Sequence, residues 1–163
     1  MQSETPSTDE LEARMRPGVF SRAGFLGPNE RLDDVIKADA RVLEELRLDY
    51  EQLAEPVDAL IAQAESSPRR RAEVDGRFLV EVEVHPGFQI GPWAADPHHS
   101  QCSAGQGVRH ASVDWFIRNL KTARELRGPG LMVHLVRDHH FFQGRGSPMR
   151  VDPRELAGLL DLL

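Results

Sequence analysis

Residues 78 to 84 read FLVEVEV. Phe78, Val80, Val82 and Val84 fall on one side of an extended chain, and Glu81 and Glu83 fall on the other. Alternation with period two predicts a β-strand with one face toward a core and one toward water. Residues 110 to 119, HASVDWFIRN, repeat the pattern with Ala111, Val113, Trp115 and Ile117 on one face. Lys121-Thr122 reads as a turn and Arg124 to Arg127 as a short third strand, which Gly128-Pro129-Gly130 ends. Short strands joined by turns predict a small antiparallel sheet.

Helical patterns flank this sheet on both sides. Upstream, Leu32, Val35, Ile36, Asp39, Val42, Leu43 and Leu46 follow three- and four-residue spacing. Asn29 is the expected N-cap, with Glu30, Asp33 and Asp34 in the first turns, and the helix is expected to end near Arg47. Asp49-Tyr50-Glu51-Gln52 has the form of a capping box for a second helix. Its apolar stripe is Leu53, Val57, Leu60, Ile61 and Ala64, and Pro56 predicts a kink or a break inside it. The short link between them fits a helix-turn-helix or a plain antiparallel αα-hairpin, and the acidic surface favours the hairpin. Downstream, residues 131 to 142 have helical spacing. A last helix starts at Asp152, with Pro153 in its first position, Glu155 completing the cap, and Leu156, Leu159, Leu160 and Leu163 toward the core.

The fold class is therefore α+β, with an N-terminal αα-hairpin, a small antiparallel β-sheet and two C-terminal helices. Residues 1 to 23 are expected to form a disordered or extended tail, 24 to 66 the hairpin, and 72 to 163 an α+β domain carrying the candidate site. SSPRRR, 66 to 71, is expected as a linker. The expected core is Phe78, Val80, Val82, Val113, Trp115, Ile117, Leu135, Val136, Leu156 and Leu160.

With 163 residues, 40% hydrophobic and 28% charged, the chain has the composition of one globular domain. It holds no run of about 18 apolar residues, so no membrane span is expected. The start is polar and acidic, unlike a signal peptide. A single cysteine, Cys102, cannot form an internal disulfide. A cytoplasmic setting follows as the expectation. Residues 1 to 66 carry a net charge of −8 and the remainder +2, within the total of −6. That acidity argues against nucleic acid as a partner of the first half. A protein partner or a small molecule stays open.

All seven histidines and Cys102 fall between His85 and His140. Such clustering hints at metal. The run from Leu131 to Gly144, LMVHLVRDHHFFQG, holds three histidines. On a helix, Met132, Leu135, Val136, His139 and Phe142 share a face, so His139 is expected to point inward against the sheet. His134 is expected at the helix edge. Five residues turn through about 140° beyond a full turn, so a straight helix does not bring His134 beside His139. The H-x4-H spacing is nonetheless one that zinc sites use. Residues 90 to 107 form a long loop with His98, His99 and Cys102, and a loop of that length is usually functional or tied down. A structural zinc would join Cys102, His134 and His139, with His98, His99 or His110 as the fourth ligand. His110, Asp114, His134 and Asp138 could also form acid–base pairs. The plain alternative makes His139 a core residue, His98 and His99 solvated loop residues, and Cys102 a small filler.

Two stretches, GFLGPNERLDDVIKADARVLEELRLDYEQLA and GLMVHLVRDHHFFQGRGSPMRVDP, together resemble a family of small uncharacterised bacterial proteins. That family pairs an N-terminal helical hairpin with a His-Phe-Phe and Tyr-Arg-Val-Asp-Pro-like ending. Here Met149 stands where the aromatic is expected. The resemblance covers about half the chain and implies a bacterial cytoplasmic protein without supplying an activity. No nucleophile elbow, P-loop, HExxH or dinucleotide fingerprint occurs. We read the chain as a non-enzymatic metal-binding, zinc-like or interaction domain. The alternative is a metal-dependent hydrolase or nuclease using the histidine cluster.

Overall fold

A computed structural model describes residues 7–86, 91–93, 110 and 112–163. Its elements run α1 (Thr8–Met15), α2 (Leu32–Leu46), α3 (Tyr50–Glu65), β1 (Arg71–Val74), β2 (Phe78–Val84), β3 (Val113–Asn119), β4 (Glu125–Pro129), α4 (Leu131–His139) and α5 (Pro153–Leu159). The class is α+β, as the alternation and the helical spacing predict. The strands form one antiparallel sheet in the order β1-β2-β3-β4. Among the described residues no helix is long and apolar enough to cross a membrane.

The register places Phe78, Val80, Val82, Val113, Trp115 and Ile117 on one buried face. Helix α3 lies across that face and packs against α4. All ten expected core residues are buried. The opposite face carries Glu81, Glu83, Asp114, Phe116, Arg118 and Arg127, and among the described residues no helix packs on it, the pattern of an antiparallel sheet with one polar face.

A strand not expected from the sequence begins at the last residue of the expected linker. Arg71–Val74 pairs with β2 through a turn centred on Asp75 and Gly76, both at positive φ (56° and 64°). The Arg77 N–H donates to the Val74 carbonyl at 3.0 Å. Asp-Gly with two positive φ values matches the twist of the strands it joins.

The N-terminal stretch also departs from expectation. Residues 8 to 15 are a helix rather than a tail. Ser7 caps it, its Oγ accepting from the Glu10 N–H at 3.2 Å, and Leu11 and Met15 are buried. The Glu12 carboxylate accepts from the Leu32 N–H at 3.0 Å and from Arg31 Nε at 3.1 Å. It thereby caps α2 from a different element, where Asn29 was the expected cap. Arg16 Nη1 donates to the carbonyls of Gly27 and Glu30 at 2.6 and 2.8 Å.

The two upstream helices are joined by Arg47, Leu48 and Asp49, but they take different neighbours. Helix α3 packs on the sheet and on α4, whereas α2 packs on α5. The capping box at α3 is present in both directions, Asp49 Oδ1 and Gln52 Oε1 each accepting at 2.8 Å. Pro56 removes one backbone donor, yet the helix runs unbroken to Glu65.

Among the described residues two apolar clusters result. The main one lies between the sheet, α3, α4 and α5 and includes Trp115, Met132, Val136 and Phe142. The second gathers Leu11, Met15, Phe25, Leu26, Leu32, Leu131, Leu135 and Phe141, with Trp93 against it. Helix α4 separates them, feeding Met132 and Val136 to one and Leu131 and Leu135 to the other.

A carboxylate ties the loop before α2 to the loop between α4 and α5. Glu30 accepts backbone N–H donors from Gly27 at 2.7 Å, Arg145 at 2.8 Å and Gly146 at 2.7 Å. Burial pushes Glu30 upward, but these donors and Arg150 outweigh it, so its carboxyl sits below the usual glutamate range. A depressed carboxylate contributes stability that is present above its unfolded pKa and is lost as pH falls through the folded one. Chemical denaturation of Glu30→Gln should therefore show lower stability than wild type at pH 7, with the gap closing below pH 4.5, the ordinary glutamate value. A gap that stays constant down to pH 3 would show that the carboxylate charge is not what matters.

Candidate functional site

Of the described histidines, His110, His134, His139 and His140 lie around the seam between α3 and α4. Helix α4 ends at His139 because His140 takes the left-handed conformation, φ 56° and ψ 36°. Its N–H then closes on the Val136 carbonyl at 3.1 Å, and Phe141 donates back to Leu135 at 3.1 Å. The chain leaves the helix there, so Phe141 and Phe142 enter different clusters and do not extend the helical stripe.

His139 does not face the sheet as the stripe predicts. It is half-buried and stacked on Trp93, with ring centroids 4.2 Å apart and planes 6° from parallel. The reason is competition. Met132, Val133 and Val136 occupy the sheet side of α4, and the last turn leaves His139 beside the Gly91-Pro92-Trp93 segment. That segment is clamped by Arg14 of α1, which donates to the Pro92 carbonyl at 2.9 Å, and by the Trp93 edge on Phe141 at 5.4 Å. His140 stacks on Tyr50 at 3.9 Å.

His134 and His139 do come together, which ideal helix geometry does not predict. Their rings meet edge-to-face with centroids 5.0 Å apart. His134 Nδ1 lies 2.7 Å from Asp138 Oδ2, one turn on. Burial pushes both histidines toward the neutral form. For His134 the neighbouring Asp138 opposes the shift, and for His139 burial with His134 and His140 beside it brings the value down to about 4. Neutral imidazole is the form that ligates metal.

His110 sits elsewhere in the seam. Its ring is buried, 3% exposed, and each nitrogen meets a carboxylate of α3: Nε2 lies 2.5 Å from Asp58 Oδ1, and Nδ1 meets Glu65 Oε1. With both nitrogens engaged, His110 is not placed to ligate a metal with the α4 pair. Asp114 pairs with His85 at 2.8 Å, not with His110, and holds His85 above its usual pKa. Of the acid–base pairs expected from sequence, His134–Asp138 forms and His110–Asp114 does not.

His98, His99 and Cys102 lie outside the described residues. Among the described residues no three His, Cys, Asp or Glu side chains converge in a metal-holding arrangement. The sequence reading missed Trp93, Asp58 and Glu65. Trp93 stood inside the long loop without a pattern of its own. Asp58 and Glu65 lie seven apart on a helix, a two-turn spacing that puts both on one side, which was the available signal. Comparison with protein-family models, curated proteins and solved structures found no match.

Proposed function

We propose that this chain is a non-enzymatic domain that binds a zinc-class metal, with His134 and His139 as two of the ligands. The observation that carries the reading is the His134–His139 pair, edge-to-face at 5.0 Å, with the His134 Nδ1 held by Asp138. A carboxylate on one ring nitrogen fixes the tautomer and raises the basicity of the other, the usual support of a metal-bound histidine. Cys102, His98 and His99 are the candidates for the remaining ligands. Trp93, stacked on His139, precedes His98 by five residues, a contour of roughly 17 Å. Zinc would bind neutral imidazole and thiolate, and in a bacterial cytoplasm, the proposed setting, the thiol stays reduced.

Elemental analysis of protein purified without a nickel column tests this. About one zinc per chain is expected, falling to near zero in His134→Ala, His139→Ala and Cys102→Ser. Metal-free wild type that shows no saturable binding of added zinc would sink the reading. Ligand number separates it from the alternative, a metal-dependent hydrolase or nuclease. Four protein ligands make a closed structural site, whereas three with an exchangeable water make a catalytic one. The interaction-domain reading has its own surface on the open sheet face. There Arg127 lies over the Phe116 ring, 5.0 Å from its centroid, beside Glu81, Glu83 and Asp114.

A further inference from the structure

A series of polar contacts crosses the α3–α4 seam and ends at His134. Glu65 and Asp58 hold the two nitrogens of His110. The other oxygen of Asp58 lies 3.8 Å from Arg137 Nη1. Arg137 Nε lies 3.8 Å from Asp138 Oδ1, and the second Asp138 oxygen meets His134 Nδ1 at 2.7 Å. Glu55 accepts from Arg137 Nη1 at 3.2 Å. Three separate parts of the chain contribute: α3, α4 and His110, three residues ahead of β3.

Burial falls from His110 to Asp138 and rises again at His134. The His110 side chain is 3% exposed, Asp58 12%, Arg137 31%, Asp138 47% and His134 15%. An isolated carboxylate as exposed as Asp138 would fix a histidine poorly, since an exposed pair one turn apart contributes little and leaves the carboxylate many rotamers. Here Asp138 has a guanidinium on one oxygen and an imidazole on the other. That guanidinium is steered by Asp58 and Glu55, and Asp58 is fixed in turn by the buried His110. Order is thus handed from the buried His110 through the more exposed Arg137 and Asp138 to His134.

We propose that His110, Asp58 and Arg137 are positioning residues for the His134–His139 pair, acting through Asp138 on the His134 ring. Holding Asp138 selects the tautomer with its proton on Nδ1, which carries its lone pair on Nε2. The purpose assigned to that selection rests on the metal-binding reading above, but the selection itself is a property of the metal-free chain. A purely structural role for His110, tying the chain ahead of β3 to α3, would leave the His134 tautomer untouched.

Two measurements on the full chain test the proposal. The first is the pair of imidazole ¹⁵N shifts of His134 in metal-free protein. The second is Co²⁺ affinity, read from its visible absorption. Wild type should show the Nδ1–H tautomer. In Asp58→Asn and Arg137→Met the shifts should move toward a mixture of tautomers, and Co²⁺ should bind about tenfold more weakly, the low end of effects seen when a ligand loses its orienting partner. Arg137→Lys keeps a cation and should recover most of both. His110→Gln should behave like Asp58→Asn; if it fails to fold, the other two variants still decide the matter. Variants with wild-type amide spectra that retain the wild-type tautomer and affinity would overturn the proposal. Wild type that binds no Co²⁺ would remove the metal reading alone, leaving the tautomer shifts to decide whether the relay exists.

Discussion

Arg150→Ala should cost on the order of 3–5 kcal/mol, the range for leaving one member of a buried ion pair without its partner. The Arg150 guanidinium donates to both oxygens of Asp39, each at 2.8 Å, and to the Gln143 carbonyl at 2.7 Å. The Asp39 side chain is 4% exposed and the Arg150 side chain 10%. Removing the arginine would strand a carboxylate among the apolar residues of α2 and orphan the Gln143 carbonyl. Marginal stability of about 5–15 kcal/mol makes such a loss a large fraction of the whole. In a chain of this size it corresponds to a fall in Tm of roughly 10 °C. The double variant Asp39→Leu with Arg150→Met removes both charges and should recover a good part of the loss, because an apolar pair of similar volume needs no compensation. Chemical denaturation of the three variants checks this. A cost below about 1 kcal/mol for Arg150→Ala would mean that water reaches Asp39 and that the pair does not hold α2 to the C-terminal segment.

That pair shows how far the sequence could be read. Asp39 interrupts the apolar stripe of α2, and an aspartate in such a stripe signals a buried partner. The partner lies 111 positions away, and no local pattern names it. The strands were legible because alternation is local and the two faces of β2 and β3 differ sharply. The hairpin before them is harder to read because β1 has only four residues, although Asp75-Gly76 is a strong turn signal. Helix α1 has the polar composition of a tail, so the sequence does not announce it. Its order comes from Leu11 and Met15 entering the second cluster and from Glu12 capping α2, both tertiary effects.

The site followed the same division. Histidine clustering singled out His134 and His139, and they do meet. Their meeting depends on the early end of α4 at His140 and on Trp93 packing over the last turn, neither of which periodicity expresses. The expectation that His139 faces the sheet failed because an idealised helix was extended through Phe142. Composition alone groups His110 with the other histidines, and two carboxylates of α3, the buried Asp58 and the more exposed Glu65, decide its role.

Gly130→Ala sets two effects against each other at the point where His110 meets α4. Gly130 is the N-cap of α4 at φ −63° and ψ −29°, a conformation alanine adopts freely. On backbone preference alone, alanine would stabilise by about 0.5–1 kcal/mol. Space decides otherwise. A Cβ at Gly130 would overlap the His110 carbonyl oxygen and lie 2.8 Å from the His110 Cβ and 2.9 Å from its carbonyl carbon. Two of those three atoms are backbone, so no rotamer change relieves the clash. The strand end is itself tied down, by the Val113 N–H donating to the His110 carbonyl at 3.2 Å and by the Gly130 N–H donating to the Val113 carbonyl at 2.7 Å. Overpacking typically costs about 1–3 kcal/mol, and a backbone neighbour puts this case at the top of that range. We expect a net loss of roughly 2–3 kcal/mol in denaturant unfolding. The displacement falls on His110, so the His110 imidazole ¹⁵N signals should move as well, reporting loosened contacts to Asp58 and Glu65. A neutral or stabilising outcome with unchanged His110 signals would show that the chain at His110 yields without cost, and a group that yields so easily could not serve as the fixed end of the relay to His134.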